Sequence, residues 1–305
     1  MTAGLLQGVP VIDAHHHFWE LARFPYHWLA PDAPAARFGD KAAIRRDVLP
    51  PDYLAETASV DLVGSVHVQA NCGAADPVDE TRWLHELART TGWPSAIVAE
   101  VDLSDPGATR LIDDHAAASN RLRGVRTPVA WDAAGRWRVA NAPHRLADPA
   151  FRIAARHLAG LGLVLEMVVV PAQLSEVADL AAALPDLTIV INHFATLEPD
   201  QPGNGGQWRA GIDRIAACAN VTVKVSGLWT ADRTWTPSVL TPYLSHALTT
   251  LGSARLMYGS NLPVEGVNCG FDDQIASLSQ ILAGQGQPII RDLFHDTARR
   301  IYRLP

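Results

Sequence analysis

Three consecutive histidines follow a short apolar run near the N-terminus, in the segment Val-Ile-Asp-Ala-His-His-His. Side chains alternate along a strand, so His15 and His17 are predicted to lie on one side and His16 on the other. Two imidazoles on one side at a strand end can share a metal ion, a water molecule or a substrate oxygen. The alternative is a chance histidine run in a solvated loop.

A fourth histidine, His193, ends another apolar run, Thr-Ile-Val-Ile-Asn-His, far along the chain. A lone histidine at a strand end is more often structural than catalytic, but together with His15 and His17 it favours a functional constellation. Three protein ligands and one water are a common arrangement for catalytic zinc. If a divalent metal is bound, these three histidines are therefore its expected ligands.

Short apolar runs rich in β-branched residues recur along the whole chain, separated by amphipathic stretches of helical period. The eight runs are residues 9–14, 63–70, 96–103, 122–130, 163–170, 187–193, 221–226 and 255–259. Helical periodicity marks residues 79–91, 107–119, 149–160, 172–184, 209–219, 272–283 and 287–302. Several runs are almost continuously apolar, which is typical of parallel strands covered by helices on both faces.

Eight strands alternating with helices predict an α/β protein, a single (β/α)8 TIM barrel in which residues 1–305 form one domain. An open doubly wound sheet is the alternative, because the strand count alone does not establish closure. No glycine-rich phosphate-binding fingerprint supports that alternative. The length of 305 residues suits one barrel with insertions.

Three segments are too long for ordinary connections: residues 18–50, 131–148 and 196–208. They follow predicted strands 1, 4 and 6, so they are expected as long loops at the C-terminal face of the barrel, where active sites of this fold lie. The first loop is rich in aromatic residues, and an apolar wall over the barrel mouth is predicted from Trp19, Tyr26, His27 and Trp28, with Trp19 and Trp28 as the substrate-binding candidates. The alternative is that these aromatics pack only within their own loop.

The composition limits the classes of partner. The 25 basic and 32 acidic residues give a net charge of −7, which argues against nucleic acid or an anionic membrane as a partner. The widely spaced Cys72, Cys218 and Cys269 predict free thiols rather than disulfides or a thiolate metal site. With no signal peptide and no long apolar stretch, we expect a cytoplasmic protein that acts on a small-molecule substrate. The oligomeric state stays open, with a homodimer as one option.

The predicted eighth strand runs into the turn Gly-Ser-Asn-Leu-Pro-Val, which begins at Gly259. With the His-x-His after strand 1 and the histidine after strand 6, this turn resembles the amidohydrolase-related family (the amidohydrolase-2 group). Within that family the sequence is most similar to the sugar lactonases and 2-pyrone-4,6-dicarboxylate lactonase. The resemblance extends over nearly the whole chain through Glu80-Thr81-Arg82-Trp83-Leu84, Val101-Asp102-Leu103, Leu122-Arg123-Gly124-Val125-Arg126 and Lys224-Val225-Ser226-Gly227-Leu228.

The resemblance implies a (β/α)8 hydrolase in which an aspartate after strand 8 takes a proton from water. This chain has Asn261 at that position, and a carboxamide accepts no proton at neutral pH. Three explanations stay open. Glu265 or His193 supplies the base; His15 or His17 is the base while Asn261 binds water or substrate; or the activity has changed or been lost. For Glu265, a surface carboxylate or a salt bridge is the alternative.

Two cations and one carboxylate complete the candidate site. Arg126 ends strand 4, and the resemblance makes it a candidate for binding a substrate carboxylate or carbonyl, although a salt bridge at the barrel rim is equally compatible. Lys224 stands at the family's lysine position in strand 7 and either binds substrate or neutralises Glu166. We expect Glu166 to be a buried carboxylate paired with Lys224 or Arg126 rather than a metal ligand.

Metal independence is the expectation, with no cofactor. A bridging lysine is not evident at the end of strand 4, where Arg126-Thr127-Pro128 stands instead. A divalent metal such as zinc, bound by the histidines, is the alternative.

The leading hypothesis is therefore a hydrolase of a small-molecule lactone or a related carboxylic ester or amide. A histidine or Glu265 would activate water, while Arg126 and the histidines stabilise the oxyanion. One alternative is a decarboxylase of a carboxylated ring on the same fold, although such relatives usually keep the aspartate that Asn261 replaces. Another is a non-catalytic, ligand-binding barrel. Convergence of the three histidines on one point would favour an enzyme.

Overall fold

Eight parallel strands form one sheet in sequence order, from β1 to β8, in the computed structural model, which describes residues 4–305. The strands are β1 Val11–His16, β2 Leu62–Val68, β3 Ala96–Glu100, β4 Leu122–Thr127, β5 Val164–Met167, β6 Ile189–Ile191, β7 Val221–Val225 and β8 Leu256–Tyr258. All eight lie within or overlap the apolar runs of the sequence. Their side chains are almost all buried, as expected for strands covered on both faces.

Helices between the strands cover the outside of the sheet. Within the described residues they are α1 Pro50–Glu56, α2 Val78–Thr91, α3 Ala108–Ala118, α4 Pro149–Gly160, α5 Leu174–Ala183, α6 Asn204–Ile215, α7 Leu228–Ala231, α8 Pro237–Leu251, α9 Phe271–Ile281, α10 Gln287–Arg291 and α11 Thr297–Ile301. A π-helical turn, Asp292–Asp296, joins α10 to α11. In α4, Pro149 follows the N-cap Asp148, whose carboxylate accepts the backbone N–H of Ala150.

The segment after β8 returns to β1 and closes the sheet. The backbone N–H of Asn261 donates to the carbonyl of His15 over 2.6 Å, and the N–H of His17 donates to the carbonyl of Leu262 over 2.8 Å. The predicted (β/α)8 barrel is therefore confirmed, and the open doubly wound alternative is wrong. Closure also brings the histidine run and Asn261 side by side.

We call this closure, between β1 and the segment after β8 at residues 260–262, the seam. The side chain of Asp13 stabilises the seam from inside the protein. Its buried carboxylate accepts the backbone N–H groups of His15 at 3.0 Å and Ser260 at 2.8 Å, and the hydroxyl groups of Ser260 and Tyr53. Four donors from three segments satisfy one buried carboxylate, which offsets the cost of removing it from water. The start of β1, the end of β8 and helix α1 are thus tied to one side chain.

Two of the three predicted long loops are loops, and the third is partly helical. Residues 18–50 carry only short 3-10 turns before α1 begins, and residues 131–148 carry one such turn near their end. Residues 196–208 differ, because α6 begins at Asn204 rather than at the predicted residue 209. Helix α8, which the periodicity analysis did not identify, lies between β7 and β8. No helix among residues 4–305 is long and apolar enough to cross a membrane.

Replacing Asp13 with alanine is expected to lower the free energy of unfolding by about 3 kcal/mol or more, because four buried donors lose their acceptor. Tyr53→Phe, which removes one of these hydrogen bonds, should cost about 1 kcal/mol. Urea unfolding of both variants, with the exposed Asp32→Ala as control, measures the difference. Equal stability of Asp13→Ala and the control would show that the seam does not depend on this carboxylate.

Candidate active site

The three predicted histidines converge at the carboxyl ends of the strands. The ring centroid of His15 lies 5.1 Å from that of His17 and 4.5 Å from that of His193. His16 points elsewhere, with Nε2 2.9 Å from the hydroxyl of Ser65. The period-two pattern of the strand therefore separates His16 from its neighbours, as the sequence indicates.

His15 is buried inside the barrel above a cluster of charged side chains. Its Nδ1 lies 3.0 Å from the amide nitrogen of Asn192 and 3.4 Å from Nζ of Lys224, which are both donors. Nδ1 therefore accepts, and Nε2 carries the proton of the neutral ring. Within residues 4–305 that Nε2 has no hydrogen-bond partner.

Beneath His15, Lys224 and Glu166 form a buried ion pair. Nζ of Lys224 lies 2.7 Å from Oε2 of Glu166, whose other oxygen accepts the hydroxyl of Tyr302. Because β1, β5 and β7 are not neighbours in the sheet, their side chains can meet only inside the barrel. Burial lowers the pKa of Lys224 to about 8, against the opposing charge of Glu166. Glu166 is thus the lysine's counter-ion, as expected.

His17 is held in one tautomer. Its Nδ1 lies 2.7 Å from the carbonyl oxygen of Val68, so Nδ1 carries the proton and Nε2 has a free lone pair. That Nε2 faces the side-chain oxygen of Asn261 at 3.3 Å. Burial, reinforced by the charge of Arg126, holds the pKa of His17 well below its ordinary value. His17 is consequently neutral near pH 7 and becomes a hydrogen-bond donor to Asn261 only when it takes up a proton.

His193 is presented by an unusual backbone. The four residues His193–Thr196 all have positive φ and form a left-handed turn directly after β6. Such a conformation costs roughly 1–2 kcal/mol per residue and is found mainly at functional sites. The turn places Nδ1 of His193 3.1 Å from the hydroxyl of Ser226, and a Cβ added to Gly227 would collide with the imidazole. Gly227 therefore leaves the space that this ring occupies.

Asn261 joins His17 to Glu265. The Asn261 amide nitrogen lies 3.1 Å from Oε2 of Glu265, which also accepts the hydroxyl of Thr230, while Oε1 accepts the backbone N–H of Trp229 at 2.6 Å. Burial raises the pKa of Glu265 to about 7, and these hydrogen bonds oppose the shift. The carboxylate lies behind Asn261 and Thr230 rather than at the surface expected under the alternative interpretation.

A cavity of about 170 Å³, which we call the inner compartment, opens beside these residues. It is lined by His17, Trp28, Phe38, Ala70, Asn71, Arg126, His193, Thr230, Asn261 and Val264. Arg126 donates to the carbonyl of Gln69 at 2.6 Å, which fixes the direction of its guanidinium. His17, His193, Arg126, Trp28 and Asn261 thus face one space.

Four of the predicted site residues do not line this compartment. His15 and Lys224 lie below it in the barrel, and Glu265 lies behind Asn261. Trp19 is fully buried, donates to the carbonyl of Arg46 at 2.7 Å and stacks behind His17 with a centroid distance of 6.5 Å. Trp19 therefore positions the ring of His17 rather than forming part of the cavity wall.

Sequence reasoning missed Asn71, Thr230 and Phe38, which all line the inner compartment. Asn71 directly follows the predicted strand 2, and a polar residue at the carboxyl end of a barrel strand is a usable signal. Its φ of 48° turns the chain there. Thr230 and Phe38 come from a short helix and a long loop, where no periodicity indicates which side chains point inward.

The fold and the position of the site place the chain among the barrel enzymes. The model of the family described as "Amidohydrolase" matches residues 12–304, almost the whole chain. The chain therefore belongs to the amidohydrolase family, and it is a hydrolase.

Individual relatives agree with this assignment. The chain is 31% identical over 299 residues to an uncharacterized protein of Sinorhizobium fredii, covering 98% of this chain and 100% of that one. It is 30% identical over 270 residues to the L-fucono-1,5-lactonase of Burkholderia ambifaria, covering 88% and 85% of the two chains. A crystal structure of an amidohydrolase from Burkholderia multivorans with bound zinc has a TM-score of 0.78 and 26% identity, covering 97% and 99%.

Because that relative binds zinc, we asked whether the ring nitrogens of His15, His17 and His193 could hold a zinc ion in this chain. His15 offers no lone pair at Nε2, because two donors occupy its Nδ1 side. His17 offers one, but it faces the oxygen of Asn261. Within residues 4–305, no three His, Cys, Asp or Glu side chains are arranged to hold a metal ion. In this arrangement His15, His17 and His193 do not fit a three-ligand zinc site.

The burial of Glu265 generates a prediction about stability and pH. A carboxyl group whose pKa rises from 4.5 to about 7 on folding contributes stability that is present below pH 4.5 and is lost as the pH rises through 7. The contribution is worth about 3 kcal/mol across that window. Glu265→Gln does not titrate, so its stability relative to wild type should increase from pH 5 to pH 8.

Urea titrations at several pH values measure this trend. Glu86→Gln, which changes a side chain that is 60% exposed on α2, serves as control and should run parallel to wild type. Parallel curves for Glu265→Gln as well would mean that Glu265 titrates normally in the folded protein.

Proposed function

We propose that this hydrolase opens a small-molecule lactone without a metal and that His17 is the general base. The observation that carries the proposal is the fixed tautomer of His17, a residue that lines the inner compartment: Val68 holds its Nδ1–H, and its Nε2, beside the oxygen of Asn261, is left unprotonated. A histidine whose Nδ1–H is anchored to a carbonyl keeps a lone pair at Nε2, and because neutral Nε2 makes no hydrogen bond to the Asn261 oxygen, that lone pair is available to take a proton from water. The lactonase names of two relatives support the substrate class.

In the proposed reaction, a water molecule gives a proton to Nε2 of His17 as its oxygen bonds to the lactone carbonyl carbon. The carbonyl oxygen becomes negative and is stabilised by Arg126 and by the Nε2–H of His193, in the tautomer of His193 whose Nδ1, 3.1 Å from the Ser226 hydroxyl, accepts from it. Protonated His17 then donates to the oxygen of Asn261. When the ring C–O bond breaks, His17 returns the proton to the leaving alkoxide, and a hydroxy acid results.

Glu265 acts in this scheme as a positioning residue rather than as the base. Its carboxylate is engaged by Trp229, Thr230 and Asn261 and does not line the inner compartment. By accepting from the Asn261 amide nitrogen, it turns the amide oxygen toward His17. The aspartate that the family resemblance implies at position 261 is thus replaced by a neutral link between a carboxylate and a histidine.

The first experiment measures proton release from sugar, aromatic and aliphatic lactones, with and without a strong chelator. We expect hydrolysis that survives chelation and falls by at least about a hundredfold in His17→Gln, the usual range for losing a general base. His144→Gln, which changes a histidine side chain that is 75% exposed, is the matched control. Activity lost with the chelator would overturn metal independence, and an active His17→Gln would remove His17 as the base.

Gly227 provides an independent test of His193. Gly227→Ala should displace the His193 ring, because the added methyl group would occupy its place. A misplacement of about 1 Å can cost about a hundredfold in rate, so we expect a loss of that order with the fold retained. Gly206→Ala, on α6 with open space around the new Cβ, is the control. Unchanged turnover in Gly227→Ala would mean that the position of His193 does not matter.

A further inference from the structure

The inner compartment adjoins a second cavity, of about 310 Å³, whose wall carries charged side chains. Residues common to both walls are Phe38, Asn71, Arg126, His193 and Thr230. Within residues 4–305, the charged side chains that line the second cavity are Arg37, Glu100 and Arg126. Arg37 is already engaged, because it lies over the ring of Trp137 and donates to the carbonyl of Arg136 at 2.9 Å. Glu100 and Arg126 are therefore the charged groups that a ligand would meet.

Glu100 differs from the uncharged polar residues of this wall in what it can bind. The side chains of Gln69, Asn71 and Thr127 contain groups that donate or accept, so they fit many kinds of ligand group. An ionised carboxylate only accepts hydrogen bonds, and a guanidinium only donates them. The two charged residues therefore restrict which polar groups of a ligand can lie beside them.

The carboxylate of Glu100 is not used by the protein itself. Burial raises the pKa of Glu100, the negative charge of Glu80 adds to this shift, and the positive charge of Arg126 opposes it, but no hydrogen bond contributes. Glu80, in contrast, accepts the backbone N–H of Ala70 at 3.1 Å. Covering a carboxylate without giving it a donor costs free energy. A ligand that displaces water from Glu100 must therefore supply a donor.

Arg126 stands next to Glu100 on the neighbouring strand. The two residues are partners in the register of β3 and β4, and neighbouring strands lie about 4.8 Å apart. Their opposite charges stabilise each other, although no hydrogen bond joins them. Within the described residues the guanidinium makes one hydrogen bond, to the carbonyl of Gln69, so its other N–H groups are free for a ligand. The pair thus fits a ligand with an acceptor and a donor close together.

We infer that Glu100 is a specificity-determining residue, which accepts a hydrogen bond from a hydroxyl group on the first or second ring carbon beyond the carbonyl of the substrate. The inference rests on the proposed lactone hydrolysis, in which Arg126 faces the carbonyl oxygen. A hydroxyl group on either carbon is close enough to the carbonyl for the two charged residues to be contacted together. The same carboxylate repels a negative substituent, so the site selects a hydroxylated lactone over a carboxylated one.

The first test compares kcat/KM for γ-butyrolactone, its 2-hydroxy and 3-hydroxy derivatives and its 3-carboxylate, each chiral compound as the racemate. We expect at least one hydroxylated lactone to be preferred over γ-butyrolactone by at least about tenfold, because the unsubstituted ring leaves Glu100 without a donor. The 3-carboxylate should be the poorest of the four substrates. Wild-type enzyme that shows no preference for a hydroxyl group overturns the inference.

Glu100→Gln keeps the size of the side chain and removes its charge. The preference for the hydroxylated lactone should fall by at least about fivefold, and the 3-carboxylate should gain about tenfold relative to γ-butyrolactone. Glu86→Gln, on the exposed side of α2, is the matched control and should keep the wild-type ratios. If Glu100 only balances the charge of Arg126, turnover of all four lactones changes by the same factor in Glu100→Gln, and the inference is wrong.

Unreactive lactams separate this inference from the proposed reaction. Binding of pyrrolidin-2-one, its 3-hydroxy and 4-hydroxy derivatives and its 4-carboxylate is measured by calorimetry on the same proteins. Tighter binding of a hydroxylated lactam that is lost in Glu100→Gln supports the inference, even if no lactone is hydrolysed and the proposed reaction fails. Lactone hydrolysis without preference for a hydroxyl group overturns the inference and leaves the proposed reaction standing. Equal binding of all four lactams, or binding of none, also counts against the inference.

Discussion

The seam between the first and last strands is the constraint on which the site depends. Asp13 holds the backbone at His15 and Ser260, and the next residues along each segment exchange hydrogen bonds across the closure. His17 and Asn261, whose side chains meet in the cavity, therefore stand on backbone whose position is set by closing the barrel. If the sheet were open here, His17 and Asn261 would be apart, so the site exists only in the closed barrel.

Below the seam, the buried ion pair of Lys224 and Glu166 has an electrostatic role as well as a structural one. A buried pair is weak evidence for stability, since desolvation offsets most of the attraction. Its consequence here is chemical: the ammonium group and Asn192 face Nδ1 of His15 and fix the proton on the other nitrogen. Lys224 also contributes, after burial itself, to holding the pKa of His15 far below its ordinary value. Burial, reinforced by the positive charges of Lys224 and Arg126, thus keeps the pKa values of the three histidines low and the rings neutral.

The barrel and the histidine cluster could be predicted from the sequence because both depend on patterns between residues that are close together in the chain. Apolar runs identify the strands, and the period of two separates His16 from His15 and His17. The environment of Glu265 was not predictable, because the three groups that engage it come from α7 and from the turn after β8. Trp19 shows the same limit, since aromatic content marks a loop as apolar without telling which ring faces the cavity. The left-handed turn at His193 has no signal at all in a sequence of non-glycine residues.

The position of Glu265 explains why an asparagine suits position 261 better than the aspartate that the family resemblance implies. An aspartate at this position would bring a second carboxylate within hydrogen-bond distance of Glu265 in a buried site, and two like charges so close force one group to stay protonated. The amide avoids that conflict because it donates to Glu265 with its nitrogen and presents its oxygen to His17. The carboxylate of Glu265 therefore lies behind Asn261 instead of lining the inner compartment, and the neutral amide of Asn261 stands between it and His17. In the proposed reaction the proton goes to His17, whose tautomer is already fixed by Val68, so an asparagine at position 261 is compatible with hydrolysis.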